Sequence, residues 1–165
     1  MYHFYGVEKV PLEDKLFGVF KHTATDKTNP LFRGFDDEFF IPHSRHTTVL
    51  KSDFNDKDEL TILSESPDAG IAIASSRGGR EFYLTGHSEY APLTLHDEYM
   101  RDVNKGLDIE MPQNYYANNN PANGPLVCWT SHANLLFNNW LNYFVYQETP
   151  YDLNDIAHLG EIHTS

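Results

Sequence analysis

The sequence predicts an α/β fold whose early part has antiparallel character. Between residues 59 and 87, short apolar segments alternate with turn residues, as in a meander of strands, and two later segments carry helix signals. The 165 residues are 40% hydrophobic and 14% aromatic, which is enough apolar material for the core of one domain.

The first 50 residues have a mixed pattern with two turn-prone places. These lie at residues 26–30 and 34–37, and the second precedes an apolar run that ends at Ile41. Pro42 restricts Ile41 to extended geometry. The aromatic opening at residues 2–5 resembles a buried helix entered midway rather than a polar, frayed terminus.

The central part of the chain predicts three consecutive strands. The first alternates over residues 60–64 and is followed by turn residues at 66–70. An apolar strand at 71–74 comes next, and the paired glycines within 77–80 predict a second turn because glycine accepts positive φ. The third strand covers residues 81–85.

Thr94 is predicted to begin a helix. Its hydroxyl is placed to cap free N–H groups, and Asp97 stands where a capping box has its acidic or amide residue. Gly106 is placed to end the helix. Apolar residues repeat every four positions, so we expect a buried stripe of Leu95, Tyr99 and Val103.

Residues 111–125 are rich in Asn and Pro, which predicts an irregular loop. Ser131 is placed to cap a second helix over residues 132–147, which Pro150 stops. The tail from residue 154 is predicted to be loose. The second helix has a wide apolar face and is expected to be buried on more than one side; the face consists of Ala133, Leu136, Phe137, Trp140, Leu141, Phe144 and Val145.

The net charge of −12 argues against two classes of partner. An acidic surface repels the phosphates of nucleic acids and disfavours anionic membrane surfaces. The sequence has no run of about 18 apolar residues that would cross a membrane. Its first residues also lack the basic and apolar regions of a signal peptide, so a cytoplasmic location is expected.

The sequence contains one cysteine, Cys128, so it cannot form an intrachain disulfide or a cysteine zinc cluster. Cys128 precedes a predicted helix start and His132, a setting that a nucleophile can use. Its neighbours are apolar, however, and they favour a buried, inert thiol. The nine histidines show no ligand spacing such as H-E-x-x-H, and no metal site is predicted.

The strongest candidate site is the segment from Gly86 to Glu89, which follows the third predicted strand. In extended chain, residues two apart face the same way, so His87 and Glu89 can reach one place together. A carboxylate beside an imidazole fixes its tautomer, which a general base requires. A solvated loop without catalytic function is the alternative interpretation of such a short motif.

Residues 42–46 are polar and turn-like, which predicts either a plain surface loop or a loop that contacts substrate. Lys15 and Arg101 are cations in an acidic chain, and each is either a solvated or ion-paired side chain or a substrate contact. Arg101 is the better candidate, because it lies on the helix after the His87 loop and a guanidinium can grip a carboxylate with two hydrogen bonds.

Six blocks of the sequence match a known pattern: Tyr2-His3-Phe4-Tyr5-Gly6, Lys15-Leu16-Phe17-Gly18-Val19, Arg33-Gly34-Phe35-Asp36-Asp37, Pro42-His43-Ser44-Arg45, Thr85-Gly86-His87-Ser88-Glu89-Tyr90 and Asn134-Leu135-Leu136-Phe137-Asn138-Asn139-Trp140-Leu141-Asn142-Tyr143. With these blocks in order, the sequence from about residue 2 to residue 153 resembles the homoserine O-acyltransferases, the succinyl- and acetyltransferases of methionine biosynthesis.

The resemblance implies a class I glutamine-amidotransferase-like, flavodoxin-related α/β fold with three layers. It also implies a Cys-His-Glu triad in which His87 is the general base and Glu89 its orienting partner. Lys15, Ser44 and Arg101 match substrate-contacting positions. The implied partners are L-homoserine and acetyl-CoA or succinyl-CoA as co-substrate, with no other cofactor, and the full-length relatives are expected to be homodimers.

The family's nucleophilic cysteine lies a few residues before the Tyr2–Gly6 block, and the sequence has no matching residue. We therefore expect residues 1–153 to be the C-terminal portion of the catalytic domain, without the N-terminal half, and to be inactive alone. The alternative is a non-catalytic half-domain that binds substrate or pairs with a separate N-terminal half. The choice of acyl donor stays open.

Overall fold

The computed structural model describes residues 1–150, so the predicted boundary at 153 and the tail from 154 lie outside the described residues. The chain forms a mixed α/β structure around a five-stranded antiparallel sheet with strand order β2-β1-β3-β4-β5. The strands are β1 (Val10–Ala24), β2 (Phe39–Thr48), β3 (Leu60–Ser66), β4 (Gly70–Ser76) and β5 (Phe82–Leu84). The α-helices are α1 (Tyr2–Tyr5), α2 (Thr94–Asn104) and α3 (Thr130–Trp140), and a π-helical turn (Leu141–Val145) continues α3.

Short 3-10 turns connect these elements, at Pro30–Phe32, Lys51–Phe54, Ala117–Asn119 and Pro121–Asn123. Among residues 1–150, no helix is long and apolar enough to cross a membrane.

The long strand β1 takes part in two ladders. It pairs with β2 from Val10↔Thr48 to His22↔Phe39, with a register shift between Pro11 and Leu16. Only its last two residues, Thr23 and Ala24, pair with β3. The strand therefore passes from one half of the sheet to the other and joins them.

The predicted meander is confirmed as β3, β4 and β5. The turn between β4 and β5 uses positive φ at Gly78 and Gly79, as the paired glycines predicted. The predicted alternation within β3 is wrong, because the pairing of β3 with β4 shifts register between Ile62 and Ser64. Leu63 and Ser64 are consequently both buried.

The prediction of a loop at residues 42–46 is wrong, because this segment is the middle of β2. Its residues pair with β1, Gly18 opposite His43 and Phe17 opposite Ser44. His43 has no exposed surface. Three polar side chains fit inside this strand because each has a hydrogen-bond partner outside it: His43 contacts His22 of β1, Ser44 donates to Glu98 of α2, and Arg45 donates to the Ala69 carbonyl.

The prediction that a helix begins at Thr94 is confirmed, but both predicted side-chain caps are wrong. The helices α2 and α3 begin after Leu93 and Trp129, and neither residue caps with a side chain. The predicted stripe of α2 is partly wrong, since Leu95 is buried but Val103 is 41% exposed. Gly106 follows the end of α2 with a φ of 70°, as predicted.

The helix α3 buries one face rather than several. Ala133 and Leu136 are buried, whereas Phe137 and Trp140 are 40% and 39% exposed. Asn139 is also buried, and its side-chain amide donates to the carbonyls of Leu31 and Arg33 at 2.9 and 2.8 Å. The expectation of burial on more than one side is therefore wrong for the described chain.

The aromatic opening forms the four-residue helix α1 but buries none of its residues. Tyr2 and Phe4 are 66% and 67% exposed. Tyr5 anchors the helix by donating to Glu81 at 2.7 Å. The predicted burial of this segment is wrong in the described structure.

The loop at 111–125 is irregular, as predicted, and it is fastened to β1 at Gly18. The Gln113 N–H donates to the Phe17 carbonyl and the Val19 N–H donates to the Gln113 carbonyl, both at 2.9 Å. A Cβ on Gly18 would lie 2.3 Å from the Gln113 carbonyl oxygen. Tyr115 and Tyr116, which follow in the same loop, are buried.

We predict that Gly18→Ala lowers the free energy of unfolding by about 3 kcal/mol, because it combines a positive φ with a clash against main chain. Gly78→Ala is the matched control, since Gly78 also has a positive φ but an added Cβ would meet nothing within 4 Å. Urea denaturation followed by circular dichroism gives both values. Equal losses for the two variants would contradict the proposed clash.

The exposed apolar surface of α3 predicts self-association of the isolated chain. Phe137 and Trp140 border a groove of about 230 Å³ that also includes Phe82 and Leu84 of β5. The double substitution Phe137→Glu/Trp140→Glu should lower the weight-average mass measured by sedimentation equilibrium. Leu126→Glu, at a position that is 57% exposed outside this groove, is the control and should leave the mass unchanged.

Candidate active site

The loop after β5 brings His87 and Glu89 together. The His87 Nδ1 lies 2.8 Å from the Glu89 Oε1. The His87 main-chain N–H donates to the Pro42 carbonyl at 2.8 Å, which fixes the loop to β2. The contact between His87 and Glu89 agrees with the expectation that residues two apart in extended chain face the same way. The two side chains are 35% and 57% exposed, so the pair lies at the surface of the described residues.

The surroundings of His87 orient its ring. The imidazole stacks on Tyr90, with ring centroids 4.3 Å apart and planes 13° from parallel. With Nδ1 directed at a carboxylate, the neutral ring carries its proton on Nδ1 and leaves the Nε2 lone pair available. This arrangement can take a proton from a nucleophile that approaches Nε2.

The three predicted substrate contacts, Lys15, Ser44 and Arg101, converge on two carboxylates of α2. The Lys15 ammonium lies 3.6 Å from Glu98 and 3.7 Å from Asp102. The Ser44 hydroxyl donates to Glu98 at 2.5 Å. The structure therefore places all three residues around one turn of α2.

Glu98 links this group to the His87 loop. Its second oxygen accepts a hydrogen bond from the Tyr90 hydroxyl at 2.8 Å, and Tyr90 carries the His87 ring on its face. Burial and the hydrogen bond to Glu98 raise the pKa of Tyr90, so the phenol stays a donor. Neither Glu98 nor Asp102 was singled out from the sequence, although their spacing of four residues places them on one helix face.

Arg101 does not point its guanidinium at an open site. Its Nε and one terminal nitrogen donate to both oxygens of Asp102 at 2.7 and 3.0 Å. These bonds raise the pKa of Arg101 and, mainly through the same hydrogen bonds, lower the pKa of Asp102. The predicted bidentate grip therefore exists, but it holds a carboxylate of the protein itself.

A cleft of about 470 Å³ lies beside Lys15. The Lys15 ammonium also sits 3.9 Å from the centre of the Phe17 ring, so the lysine forms both ion pairs and a cation–π contact at the cleft wall. The remaining lining comes from Asp14 of β1, from His46 of β2, from Asp102 of α2 and from the following loop up to Gln113. The cleft is large enough for a small polar ligand.

Cys128 is half-buried and packs against the apolar cluster that contains Trp129 and Tyr115. Burial raises the pKa of its thiol, which opposes formation of a thiolate. Within residues 1–150, no three His, Cys, Asp or Glu side chains are arranged to hold a metal ion.

The lowered pKa of Asp102 predicts a pH-dependent contribution to stability. A carboxylate whose folded-state pKa lies below its ordinary 3.8 stabilises the fold above that pH and loses this effect as the pH falls through the lower value. The stability difference between the wild type and Asp102→Asn should therefore be full at pH 7 and shrink below about pH 4. Urea denaturation across this range measures the difference. Asp56→Asn, at an exposed position, is the control, and a pH-independent difference for Asp102→Asn would contradict the ion pair.

Known proteins are similar to this sequence over almost its whole length. The chain is 60% identical to a homoserine O-acetyltransferase of Parabacteroides distasonis over 98% of its own length and 52% of that protein. It is 62% identical to a homoserine O-acetyltransferase of Bacteroides fragilis over 94% of its length and 51% of that protein. The chain thus spans about half the length of the curated relatives it matches.

Solved structures show the fold. A glutamine amidotransferase from Thermotoga maritima superposes with a TM-score of 0.56 at 14% identity, over 87% of this chain and 57% of that one. One from Methylobacillus flagellatus gives a TM-score of 0.52 at 10% identity, over 83% and 56%. The expected glutamine-amidotransferase-like α/β fold is confirmed.

The family model for homoserine O-succinyltransferase matches residues 1–151, which include all six blocks that carried the resemblance. The expected family is therefore confirmed, and the chain belongs to the homoserine O-succinyltransferase family.

Proposed function

We propose that this chain is the part of a homoserine O-acyltransferase that supplies the general base, His87, and its orienting carboxylate, Glu89. The observation that carries the proposal is the 2.8 Å contact between the His87 Nδ1 and Glu89, which leaves Nε2 available for proton transfer. The names of the relatives at 60% and 62% identity supply the reaction type.

The proposed reaction has two acyl-transfer steps. The His87 Nε2 takes the proton of a cysteine thiol, whose sulfur attacks the thioester carbonyl of acyl-CoA; the CoA thiolate leaves and takes up that proton. His87 then takes the proton of the homoserine hydroxyl, whose oxygen attacks the acyl-cysteine. The ester forms, the cysteine sulfur leaves, and the proton returns to it.

We propose that the Lys15, Ser44 and Arg101 group binds the acceptor amino acid. Homoserine carries a carboxylate and an ammonium, and the group around α2 presents both charge signs within a few ångströms. A substrate carboxylate would compete with Asp102 for the Arg101 guanidinium, while Glu98 would attract the ammonium. The ion pairs seen within the chain would then be exchanged for ion pairs with substrate.

The nucleophile is proposed to come from outside these 165 residues. Cys128 is the one cysteine of the sequence, and burial raises its pKa rather than lowering it. The same observation favours a second candidate function, a non-catalytic half-domain that binds substrate or pairs with a separate partner carrying the cysteine. Acetyl-CoA is the first donor to test, since both of these relatives are named acetyltransferases.

We predict that the chain alone does not transfer an acetyl group from acetyl-CoA to homoserine. Fusion to the uncovered half of the Bacteroides fragilis relative should produce activity, measured as CoA release with a thiol reagent. In that fusion, His87→Ala should lower kcat by roughly 10³-fold, as expected for loss of a general base.

Cys128→Ala is the matched control and should leave the rate of the fusion unchanged. Turnover by the unfused chain that survives Cys128→Ala would contradict the proposed division of the active site. A fusion that binds homoserine but stays inactive with both acetyl-CoA and succinyl-CoA would favour the non-catalytic half-domain.

A further inference from the structure

Two fully buried histidines lie beneath the His87 loop. His22 on β1 and His43 on β2 have no exposed surface. Their Nε2 atoms are 3.3 Å apart, and their rings stack with centroids 5.1 Å apart and planes 18° from parallel. Neither residue belongs to the proposed catalytic pair or to the substrate-contacting group.

The contacts of the two rings determine where their protons lie. The Arg45 Nε donates to the His43 Nδ1 at 3.2 Å, so that nitrogen is an acceptor and the His43 proton is on Nε2. The His22 Nδ1 lies 2.9 Å from the Phe20 carbonyl, which can only accept, so the His22 proton is on Nδ1. His43 therefore donates to His22 through the Nε2–Nε2 contact.

The result is a one-way chain of hydrogen bonds from Arg45 through His43 and His22 to the Phe20 carbonyl. Arg45 is held at its start by donating to the carbonyls of Thr47 and Ala69 at 2.7 and 2.5 Å. Burial lowers the pKa of His22 to about 4 and that of His43 to about 2, so both rings are neutral near pH 7. Each of the four ring nitrogens of His22 and His43 has a hydrogen-bond partner.

An apolar pair would fill this space without the cost of burying four ring nitrogens. In contrast, a series of hydrogen bonds in which every donor and acceptor is paired fixes the positions and orientations of the two imidazole rings, because each ring nitrogen has only one partner. The His22–His43 pair is thus suited to define the geometry of whatever packs on it.

The element that packs on His43 is the start of the proposed catalytic loop. A Cβ on Gly86 would lie 2.8 Å from the His43 Cε1 and Nε2 atoms and 2.5 Å from the Ile41 side chain. The next residue, His87, donates its main-chain N–H to the Pro42 carbonyl. The backbone of Gly86 and His87 therefore rests directly on the ring of His43 and on the main chain beside it.

We propose that the Arg45–His43–His22 chain positions the catalytic loop, by fixing the surface on which Gly86 and His87 lie and hence the orientation of the His87 imidazole toward Glu89. His43 is a positioning residue rather than a catalytic one. The role rests on the proposed function of His87, but the geometry can be tested without any acyl transfer.

The test is nuclear magnetic resonance on the full 165-residue chain with ¹⁵N-labelled histidine and backbone. In the wild type, the ring ¹⁵N shifts should give Nδ1–H for His22 and Nε2–H for His43. In His43→Phe, the main-chain amide proton of His87 should exchange with solvent about tenfold faster, because its hydrogen bond to the Pro42 carbonyl is weakened. The His87 ring should also move from the Nδ1–H tautomer toward Nε2–H as its contact with Glu89 loosens.

His43→Gln is the rescue variant, because its side-chain amide can accept from Arg45 and donate toward His22. It should restore the wild-type signals of His87. His132→Phe is the matched control: this histidine packs on Phe39 in the same core but hydrogen-bonds to Asp36 instead of joining the chain. It should leave the exchange and tautomer of His87 unchanged. Should His43→Phe fail to fold, Arg45→Lys breaks the first bond of the chain and is expected to produce the same local changes.

Unchanged exchange and tautomer of His87 in a folded His43→Phe variant would overturn the proposal, as would equal effects of His132→Phe. Wild-type histidines with the opposite tautomers would also overturn it. Failure of the proposed function would appear in a different experiment, as a fusion protein without acyltransferase activity. That result would not change the exchange rate or the tautomer of His87 measured on the 165-residue chain.

Discussion

The antiparallel pairing of β1 with β2 is the constraint on which the rest of the structure depends. Its register sets His43 opposite Gly18 and Ser44 opposite Phe17. One side of this ladder therefore holds the buried histidines that support the His87 loop. The neighbouring position, Ser44, reaches Glu98 on α2, where Lys15 from β1 also binds. Because side chains alternate along a strand, a shift of one residue would separate the loop from its support and the serine from the helix.

The second organising feature is the charge on α2. In a chain with a net charge of −12, the lysine and arginine of the candidate site are held by Glu98 and Asp102, one turn apart. Lys15 and the two carboxylates are largely shielded, with side chains between 10% and 18% exposed, so their attraction is less screened than at an open surface. Contacts within the chain thus set the positions of these side chains.

Sequence patterns were informative where local chemistry dictates structure. The turns around β3, β4 and β5 followed from their glycine, proline and serine residues, and the approach of His87 to Glu89 followed from the two-residue period of extended chain. Long-range interactions set the rest. The polar residues of β2 indicated a loop because their partners, His22 and Glu98, are distant in sequence. The predicted caps at Thr94 and Ser131 were wrong because Leu93 and Trp129 occupy the cap positions. Glu98 was not predicted because nothing local distinguishes it from the many other acidic residues.

The attachment of the 111–125 loop at Gly18 has a consequence for motion. Gln113 forms part of the cleft wall and is bonded through both its N–H and its carbonyl to β1. At Gln113 the wall does not move like a free loop, because displacing this residue breaks two main-chain hydrogen bonds at once. Movement of Gln113 requires local unfolding, which is slower and rarer than loop motion. This one point of the cleft wall therefore keeps its position relative to β1 on the timescale of an encounter with a small ligand.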